Sequence, residues 1–200
     1  MKTANSEEFG LTGDFTRCFW VGCSDFPISP EEIIGAAAEE LIFHDNIANL
    51  VAPADINCLA AMQFAVEVLR VKTIVVCGHY ECRGIRLAIE NRSLDILGNW
   101  IAPIRKTHRK YKNLLDRIGD ESKQLNALCE LNVIEQIYNA CRTTIVEDAW
   151  KRGQELSVCG FVYNRQNGLL IDLKIFVKNH AELSSVYAAA ISDVERRWQL

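Results

Sequence analysis

The sequence predicts an α/β fold, with a mostly parallel β-sheet that has an antiparallel edge and is flanked by helices. Short apolar runs, typical of strands buried on both faces, alternate with helical patterns along the chain. Asn167-Gly168 is a tight-turn signal between two late apolar runs, which indicates one antiparallel hairpin. With 200 residues, 49% of them hydrophobic, the chain is large enough for one domain with a sizeable core.

The first half of the chain begins with residues 1–14, which are polar and which we expect to form an N-terminal arm that could be flexible. Residues 15–200 are then the single domain. Apolar runs predict strands at 17–22 and 40–44. Ser29-Pro30-Glu31-Glu32 predicts a helix start, because Ser caps, Pro fits the first helical position and acidic side chains suit the first turn.

Apolar residues at helical spacing predict a helix over 55–69, followed by a buried strand over 73–78. A short helix over 84–90 comes next. Residues 94–118 are predicted to be helical, with Pro103 near a helix start or kink.

The second half is predicted to contain a pair of amphipathic helices over 124–152, which break near Arg142-Thr143. Strands over 156–163 and 169–177 form the hairpin on either side of the turn signal. A closing helix is expected over 180–198.

The net charge is −4, from 22 basic and 26 acidic residues. Nucleic-acid binding needs a concentrated basic face, so the balance predicts no nucleic-acid partner. The one basic cluster, 105–112, is typical of a solvated helix face. No run of 18 apolar residues occurs, which predicts no membrane span.

Eight cysteines are present, but their spacing is unlike that of a small disulfide-stabilised secreted scaffold. The start of the chain carries no apolar signal region, so we expect a reducing, cytoplasmic location. Cysteines in such a compartment are mostly small core residues. We predict this role for Cys77, Cys129, Cys141 and Cys159.

Potential metal ligands follow two of the predicted strands. Cys23 and Asp25 come at the end of the first strand, and His79 and Cys82 at the end of the strand over 73–78. The carboxyl ends of parallel strands meet at one edge of a sheet, so the two groups could converge. Two Cys and one His make a ligand set that zinc uses when a fourth position stays open for chemistry.

Other interpretations of these residues remain open. Each Cys could be a core residue, and His79 a hydrogen-bonded loop residue. Alternatively, Asp25 could close a tetrahedral Cys₂-His-Asp structural zinc site. In an open site, a zinc-bound water is acidified and becomes a hydroxide nucleophile.

The sequence resembles the β-class carbonic anhydrases, of the bacterial type. That family shows Cys-Ser-Asp-Ser-Arg, then His-Arg-Asn-Ala/Val-Asn-Leu-Val, then Gly-His-x-x-Cys-Gly-Gly. The corresponding segments here are Cys23-Ser24-Asp25-Phe26-Pro27, residues 44–51 (HDNIANLV) and residues 78–84 (GHYECRG). The resemblance runs from about Phe19 to Leu173. It implies a zinc lyase that interconverts CO₂ and bicarbonate and assembles as a homodimer or homotetramer.

The resemblance also implies roles for single residues. Cys23, His79 and Cys82 would hold zinc, and Asp25 would either ligate it or release the position to water and act as the catalytic residue. The arginine with which family members pair the Asp is Pro27 here, so the chain is a divergent member. Asp25 could therefore clamp the zinc and close the site.

Further departures surround the motifs. Phe26 stands where the family has a small residue, and Arg83 where it has Gly; with Pro27 and Gly84 these are the candidates for substrate pocket or specificity. The Arg83 guanidinium could replace the missing partner of Asp25, or it could point to solvent. Asp45 replaces an Arg near the place where some bacterial members bind regulatory bicarbonate, and it should repel an anion there. Those members bind the bicarbonate with help from a Trp and a Tyr, and Trp20 and Tyr163 are the plausible counterparts here.

Three functions follow as hypotheses. The first is hydration of CO₂ to bicarbonate through zinc-bound hydroxide, with activity that the departures could reduce or redirect. The second is the same zinc scaffold acting on another small substrate. The third is a non-catalytic zinc protein closed by Asp25. For self-association, the apolar helix 57–69 and the hairpin edge 156–177 are the candidate surfaces.

Overall fold

The computed structural model describes residues 17–26, 29–34, 40–90 and 94–198, and the fold is a five-stranded sheet with helices on both faces. The strand order is β2-β1-β3-β4-β5, in which β5 is antiparallel to β4 and the other neighbours are parallel. This confirms the predicted fold class. The predicted arm over 1–14 lies outside the described residues.

The strands occupy the apolar runs that predicted them. They are β1 (Arg17–Cys23), β2 (Glu40–Asn46), β3 (Thr73–His79), β4 (Ser157–Asn164) and β5 (Leu169–Val177). Every residue of β3 is buried, and so is every residue of β1 after Arg17. Such burial on both faces explains why these strands are continuously apolar rather than alternating.

The helices, in chain order, are α1 (Pro30–Ile34), α2 (Ile56–Gln63), α3 (Arg83–Ile89), α4 (Asp95–Trp100), α5 (Ala102–Lys110), α6 (Lys112–Leu115), α7 (Glu121–Cys141), α8 (Thr144–Lys151) and α9 (Leu183–Trp198). Side-chain caps define several starts. Asp55 caps α2 by accepting from the Asn57 N–H, Asp120 caps α7, and Thr143 caps α8 at the predicted break.

Two predicted helices differ in detail from the structure. The helix over 55–69 changes at Phe64 into a π-helical turn, Phe64–Val68, in which the Leu69 N–H donates to the Phe64 carbonyl at 3.1 Å. The segment 94–118 is helical, as predicted, but it consists of three short helices, α4, α5 and α6. Pro103 lies in the first turn of α5, where its missing N–H is harmless, and so it marks a new helix start.

The core has two parts, one on each face of the sheet. In the larger part, α7 packs against β3 and β4. The four cysteines predicted to be core residues are buried. The basic cluster lies on α5 and the start of α6, and most of its charged side chains are exposed. No helix among the described residues has both the length and the apolar character needed to cross a bilayer.

Helix α7 also carries a fully buried acid, Glu130. Its carboxylate accepts hydrogen bonds from the Tyr80 hydroxyl and, at 2.9 Å, from the Arg197 guanidinium of α9. Burial raises the pKa of Glu130, against the opposing effect of these donors. The pairing joins α7 to α9 and to Tyr80, which follows His79 in the sequence.

A candidate metal centre at the ends of β1 and β3

The candidate metal centre is positioned by two neighbouring parallel strands. Val21 of β1 pairs with Val76 of β3, so both strands end at the same edge of the sheet. Cys23 is the last residue of β1 and His79 the last of β3, while Cys82 immediately precedes α3. Parallel pairing therefore brings together residues that are 56 or more positions apart in sequence.

The ligand atoms of Cys23, His79 and Cys82 all lie within 4.8 Å of one another, and the three residues are buried. The two sulfur atoms are 3.8 Å apart. One ring nitrogen of His79, Nδ1, is 3.0 Å from the Tyr80 carbonyl, while Nε2 is buried with no hydrogen-bond partner within the described part of the chain. An unpaired buried nitrogen facing two thiols is the arrangement that a zinc ion satisfies, so these residues fit the metal.

Backbone N–H donors around the Cys23 sulfur favour its negatively charged form. The sulfur accepts the Ala48 N–H at 3.2 Å and the Asp25 N–H at 3.4 Å. The hydrogen bond from the Cys82 thiol, together with His79, lowers the pKa of Cys23, and the same bond raises the pKa of Cys82. Binding of a metal ion would require both sulfurs as thiolates, so it would release the proton that this hydrogen bond holds.

The loop over 46–51 aims the Ala48 N–H at the sulfur. Ala48 and Asn49 have positive φ angles of 68° and 47°, which non-glycine residues adopt only where the surroundings hold them. The Asn132 amide of α7 donates to the Ala48 carbonyl at 2.9 Å, and Gln136 accepts the Val51 N–H at 3.0 Å. The buried amides of α7 thus fix a loop that touches a ligand. The sequence analysis missed this role of α7.

Asp25 lies outside the three-ligand group and binds Arg83 instead. The Arg83 backbone N–H donates to Oδ2 at 2.9 Å, and the guanidinium Nε–H donates to Oδ1 at 2.6 Å. The Asp25 side chain is only 5% exposed, whereas that of Arg83 is 78% exposed. Burial alone would raise the pKa of Asp25, but the Arg83 hydrogen bonds hold it below its usual value. Of the two orientations considered for Arg83, the structure has the one that contacts Asp25.

The chain is similar to known proteins in both sequence and fold. The sequence profile of the family described as "Carbonic anhydrase" matches residues 18–170. The chain belongs to the carbonic anhydrase family. A carbonic anhydrase of Emericella nidulans is 37% identical over 189 residues, which cover 93% of this chain and 83% of that relative. A carbonic anhydrase of Candida albicans is 32% identical and matches over 82% of this chain and 58% of its own length.

Solved structures place the chain in the β class of carbonic anhydrases. The Coccomyxa β-carbonic anhydrase in complex with acetazolamide has a TM-score of 0.78 at 30% identity, covering 84% of this chain and 77% of that one. The β-carbonic anhydrase CafA of Aspergillus fumigatus has a TM-score of 0.75 at 29% identity, covering 91% and 84%. These findings confirm the predicted family, fold and enzyme class, carbonate dehydratase.

The residues predicted to line the substrate pocket of this carbonic anhydrase differ from one another in what they contact. The Phe26 ring stacks on His79, with centroids 5.3 Å apart, and meets the edge of Tyr163 at 4.9 Å. Gly84 is required by packing, because a Cβ there would lie 2.6 Å from Cγ2 of Ile47. Pro27 lies outside the described residues. Among the pocket candidates within the described residues, Phe26 is therefore the one whose ring lies against a predicted metal ligand, His79.

Asp45 and Trp20 line a cavity of about 230 Å³ beside Cys23, together with Phe26 and Phe43. Tyr163 belongs to the same buried cluster as Trp20. The structure thus brings together Trp20, Asp45 and Tyr163, the three residues that the resemblance relates to a regulatory bicarbonate site. The carboxylate of Asp45 makes this cavity unfavourable for bicarbonate, and whether it excludes the anion stays a prediction.

Proposed function

We propose that this protein is a zinc-dependent carbonic anhydrase that catalyses the reversible hydration of CO₂ to bicarbonate. Cys23, His79 and Cys82 would hold the metal. When bound there, zinc acts as a Lewis acid that lowers the pKa of a water molecule in the position the protein leaves free. The observation that carries the proposal is the Arg83–Asp25 pair, which engages the fourth potential ligand elsewhere.

In this proposal, Asp25 accepts a hydrogen bond from the molecule at the open position and orients it, rather than binding the zinc itself. A carboxylate that is already bound to a guanidinium and a backbone N–H competes less well for a cation. Asp25 lies two residues after Cys23, and each of its carboxylate oxygens can accept another hydrogen bond beside the one from Arg83. It can thus receive a hydrogen bond from a water or a bicarbonate hydroxyl at the open position.

Phe26 would contribute the apolar wall of the pocket. Its ring covers one face of His79 and restricts how that imidazole can turn. An apolar wall suits CO₂, which has no charge and accepts only weak hydrogen bonds, and it disfavours the retention of bicarbonate. The same residue is the one that would favour a different small, apolar substrate.

The decisive experiment is stopped-flow CO₂ hydration on protein whose zinc content is measured in the same sample. We expect hydration that rises with zinc occupancy. Cys82→Ala should lose both zinc at this site and activity, whereas Cys159→Ala, a buried cysteine of the other face of the sheet, should retain both. A near-zero rate in protein that carries zinc on Cys23, His79 and Cys82 would overturn the proposal and leave the other substrate or the closed non-catalytic site.

We also propose that the chain assembles as a homodimer or homotetramer and works in a reducing compartment such as the cytoplasm. The helical surface named from the sequence exposes Phe64 (50%) and Val68 (64%), and the hairpin exposes Leu169 (53%). Exposed apolar residues grouped on two elements are typical of contact surfaces. All eight cysteines are free thiols, which fits a reducing location. A Sordaria macrospora structure of this fold, 30% identical with a TM-score of 0.74, is described as tetrameric.

A further inference from the structure

A second group of potential metal ligands lies apart from the first. His44 of β2, the N-cap residue Asp55 and Cys58 of α2 present ligand atoms that all lie within 4.8 Å of one another. None of these residues belongs to the carbonic anhydrase centre described above. Cys58 is fully buried, whereas His44 and Asp55 are partly exposed, so the group is open to solvent on one side.

His44 gives an independent indication of a ligand. Its Nε2 is buried and has no hydrogen-bond partner among the residues that the structure describes. The ring packs against Phe19 at a centroid distance of 6.4 Å, which uses its face but satisfies neither nitrogen. Buried polar atoms in native proteins are almost always paired, so a lone imidazole nitrogen beside a thiol and a carboxylate points to an unrecorded partner.

We propose that His44, Asp55 and Cys58 form a second metal site, which takes a zinc-type divalent transition metal. One nitrogen, one carboxylate oxygen and one sulfur suit a borderline-soft ion, whereas Ca²⁺ and Mg²⁺ require oxygen ligands throughout. Asp55 uses Oδ1 to cap α2, at 3.1 Å from the Asn57 N–H, and this leaves Oδ2 for the ion. A fourth position would be filled by water, on the open side of the group.

Charge and distance agree with this assignment. A thiolate, a carboxylate and a neutral imidazole exactly balance a divalent ion, while loading releases the thiol proton to solvent. Ligand atoms around tetrahedral zinc lie about 3.3–3.8 Å apart, given bonds of about 2.0–2.3 Å. The separations in this group are at most 4.8 Å, so a contraction of about 1 Å or less reaches that range. Burial, and next the nearby Asp55, raise the pKa of Cys58 to about 12, so the thiol is inert without a metal.

The position of the site suggests what the ion does. His44 precedes the loop over 46–51, and Asp55 follows it, so a metal between them would fasten both ends of the loop. This is the loop that aims the Ala48 N–H at Cys23. The second ion would thus be structural, joining β2 to the start of α2 and holding the support of the first centre in place.

Metal stoichiometry on the full chain tests the proposal. Reduced protein is equilibrated with chelator-buffered zinc, freed of excess ion and analysed for zinc per chain. We expect about two zinc ions for the wild type and about one for Cys58→Ala. Asp55→Asn, which keeps the helix cap because Asn caps as well as Asp, should weaken the second site in the same way. Cys159→Ala is the matched control and should bind as many ions as the wild type.

Cobalt gives a second readout that does not depend on activity. Subtracting the near-ultraviolet spectrum of Co²⁺-loaded Cys58→Ala from that of the wild type should leave the charge-transfer band of one thiolate ligand. CO₂ hydration should fall in Cys58→Ala but not be abolished, because Cys23, His79 and Cys82 are unchanged while the loop that supports Cys23 loses one attachment. Equal zinc content in the wild type, Cys58→Ala and Asp55→Asn would overturn the inference. Zinc that depends on Cys58 in a protein without CO₂ hydration would support it, while the proposed function alone would fail.

Discussion

Arg83 binds both carboxylate oxygens of Asp25, with its backbone N–H on Oδ2 and its guanidinium on Oδ1. A backbone donor and a side-chain donor from one residue fix the carboxylate in both position and rotation. In the β-carbonic anhydrases this chain resembles, an arginine two residues after the Asp has that function. Here the cation comes from the first residue of α3, on the other ligand-bearing segment.

Arg83→Ala should reduce CO₂ hydration by about 10- to 100-fold, the usual cost of removing a residue that orients an atom next to a metal. Without the guanidinium, Asp25 is free to occupy the fourth position on the zinc. Zinc content should stay the same, so the fall would appear in the rate per zinc ion. Arg86→Ala, which removes an exposed guanidinium one turn along α3, is the control and should behave as the wild type. An unchanged rate in Arg83→Ala would contradict this role.

Pro27→Arg should restore hydration when it is combined with Arg83→Ala. The substitution returns the arginine to the position it has in the family motif, so the carboxylate regains a bidentate partner. We expect recovery of about 10-fold or more, measured by stopped-flow on zinc-quantified protein. Pro27→Ala in the same background removes the proline without adding a cation and should give no recovery. Equal rates for the two double variants would show that a cation at 27 cannot replace Arg83.

Asn132→Leu should destabilise the protein and weaken zinc binding together. The substitution leaves the buried Ala48 carbonyl without its donor, at a cost of about 1–3 kcal/mol. Because Ala48 also donates to Cys23, a shifted loop should lower zinc affinity. Urea unfolding and competition with a chromogenic chelator measure the two effects, with the exposed Asn113→Ala as the control. Loss of stability with unchanged zinc affinity would separate the loop from the metal centre.

Gly84→Ala should destabilise by about 1–3 kcal/mol, the range for overpacking a core. The added methyl group would lie 2.6 Å from Ile47 and must push α3 away from the loop, moving Cys82 with it. Gly98→Ala is the control, because its added methyl group meets only ordinary contacts and a helix interior favours Ala. Thermal unfolding and zinc content test the pair. Similar melting temperatures for the two variants would show that Gly84 is not held by packing.

Glu135→Gln should destabilise the protein at neutral pH but much less in acid. Burial alone would raise the pKa of Glu135, yet hydrogen bonds from Lys110, Tyr111 and Tyr187 lower it. A carboxylate whose pKa is lower in the folded state stabilises above its unfolded pKa, and this contribution disappears as the pH falls through the folded value. We expect a loss of about 1–3 kcal/mol at pH 7.

Urea unfolding of Glu135→Gln and wild type at pH 7 and below pH 4 measures that difference. The exposed Glu155→Gln is the control and should show little change at either pH. Because each variant is compared with wild type at the same pH, loss of zinc in acid affects both alike. A difference that grows toward low pH would contradict the lowered pKa of Glu135.

The strands and the first ligand group could be predicted from the sequence because both depend on local signals. Buried parallel strands are continuously apolar, and ligands at two strand ends converge whenever those strands are neighbours. The positive φ angles at Ala48 and Asn49 could not be predicted, since they are imposed by amides on α7 some 80 positions later. The second candidate group was missed for a similar reason: His44 of β2 and Cys58 of α2 come together only in the folded chain.

The breaks within 94–118 show a different limit. The apolar spacing there is consistent with one long helix, and only Pro103 gave a local sign of interruption. Ile101, which is fully buried, is the residue between α4 and α5, and Pro103 in the first turn of α5 fits that boundary. The second break, at Tyr111 between α5 and α6, has no such local signal.

The pairing of Glu130 with Arg197 has a practical consequence for handling the protein. The arginine lies in the final turn of α9, and the acid with which it pairs is fully buried on α7. Removing Arg197 would leave a buried carboxyl without its cation. Engineered variants should therefore keep α9 intact through Arg197.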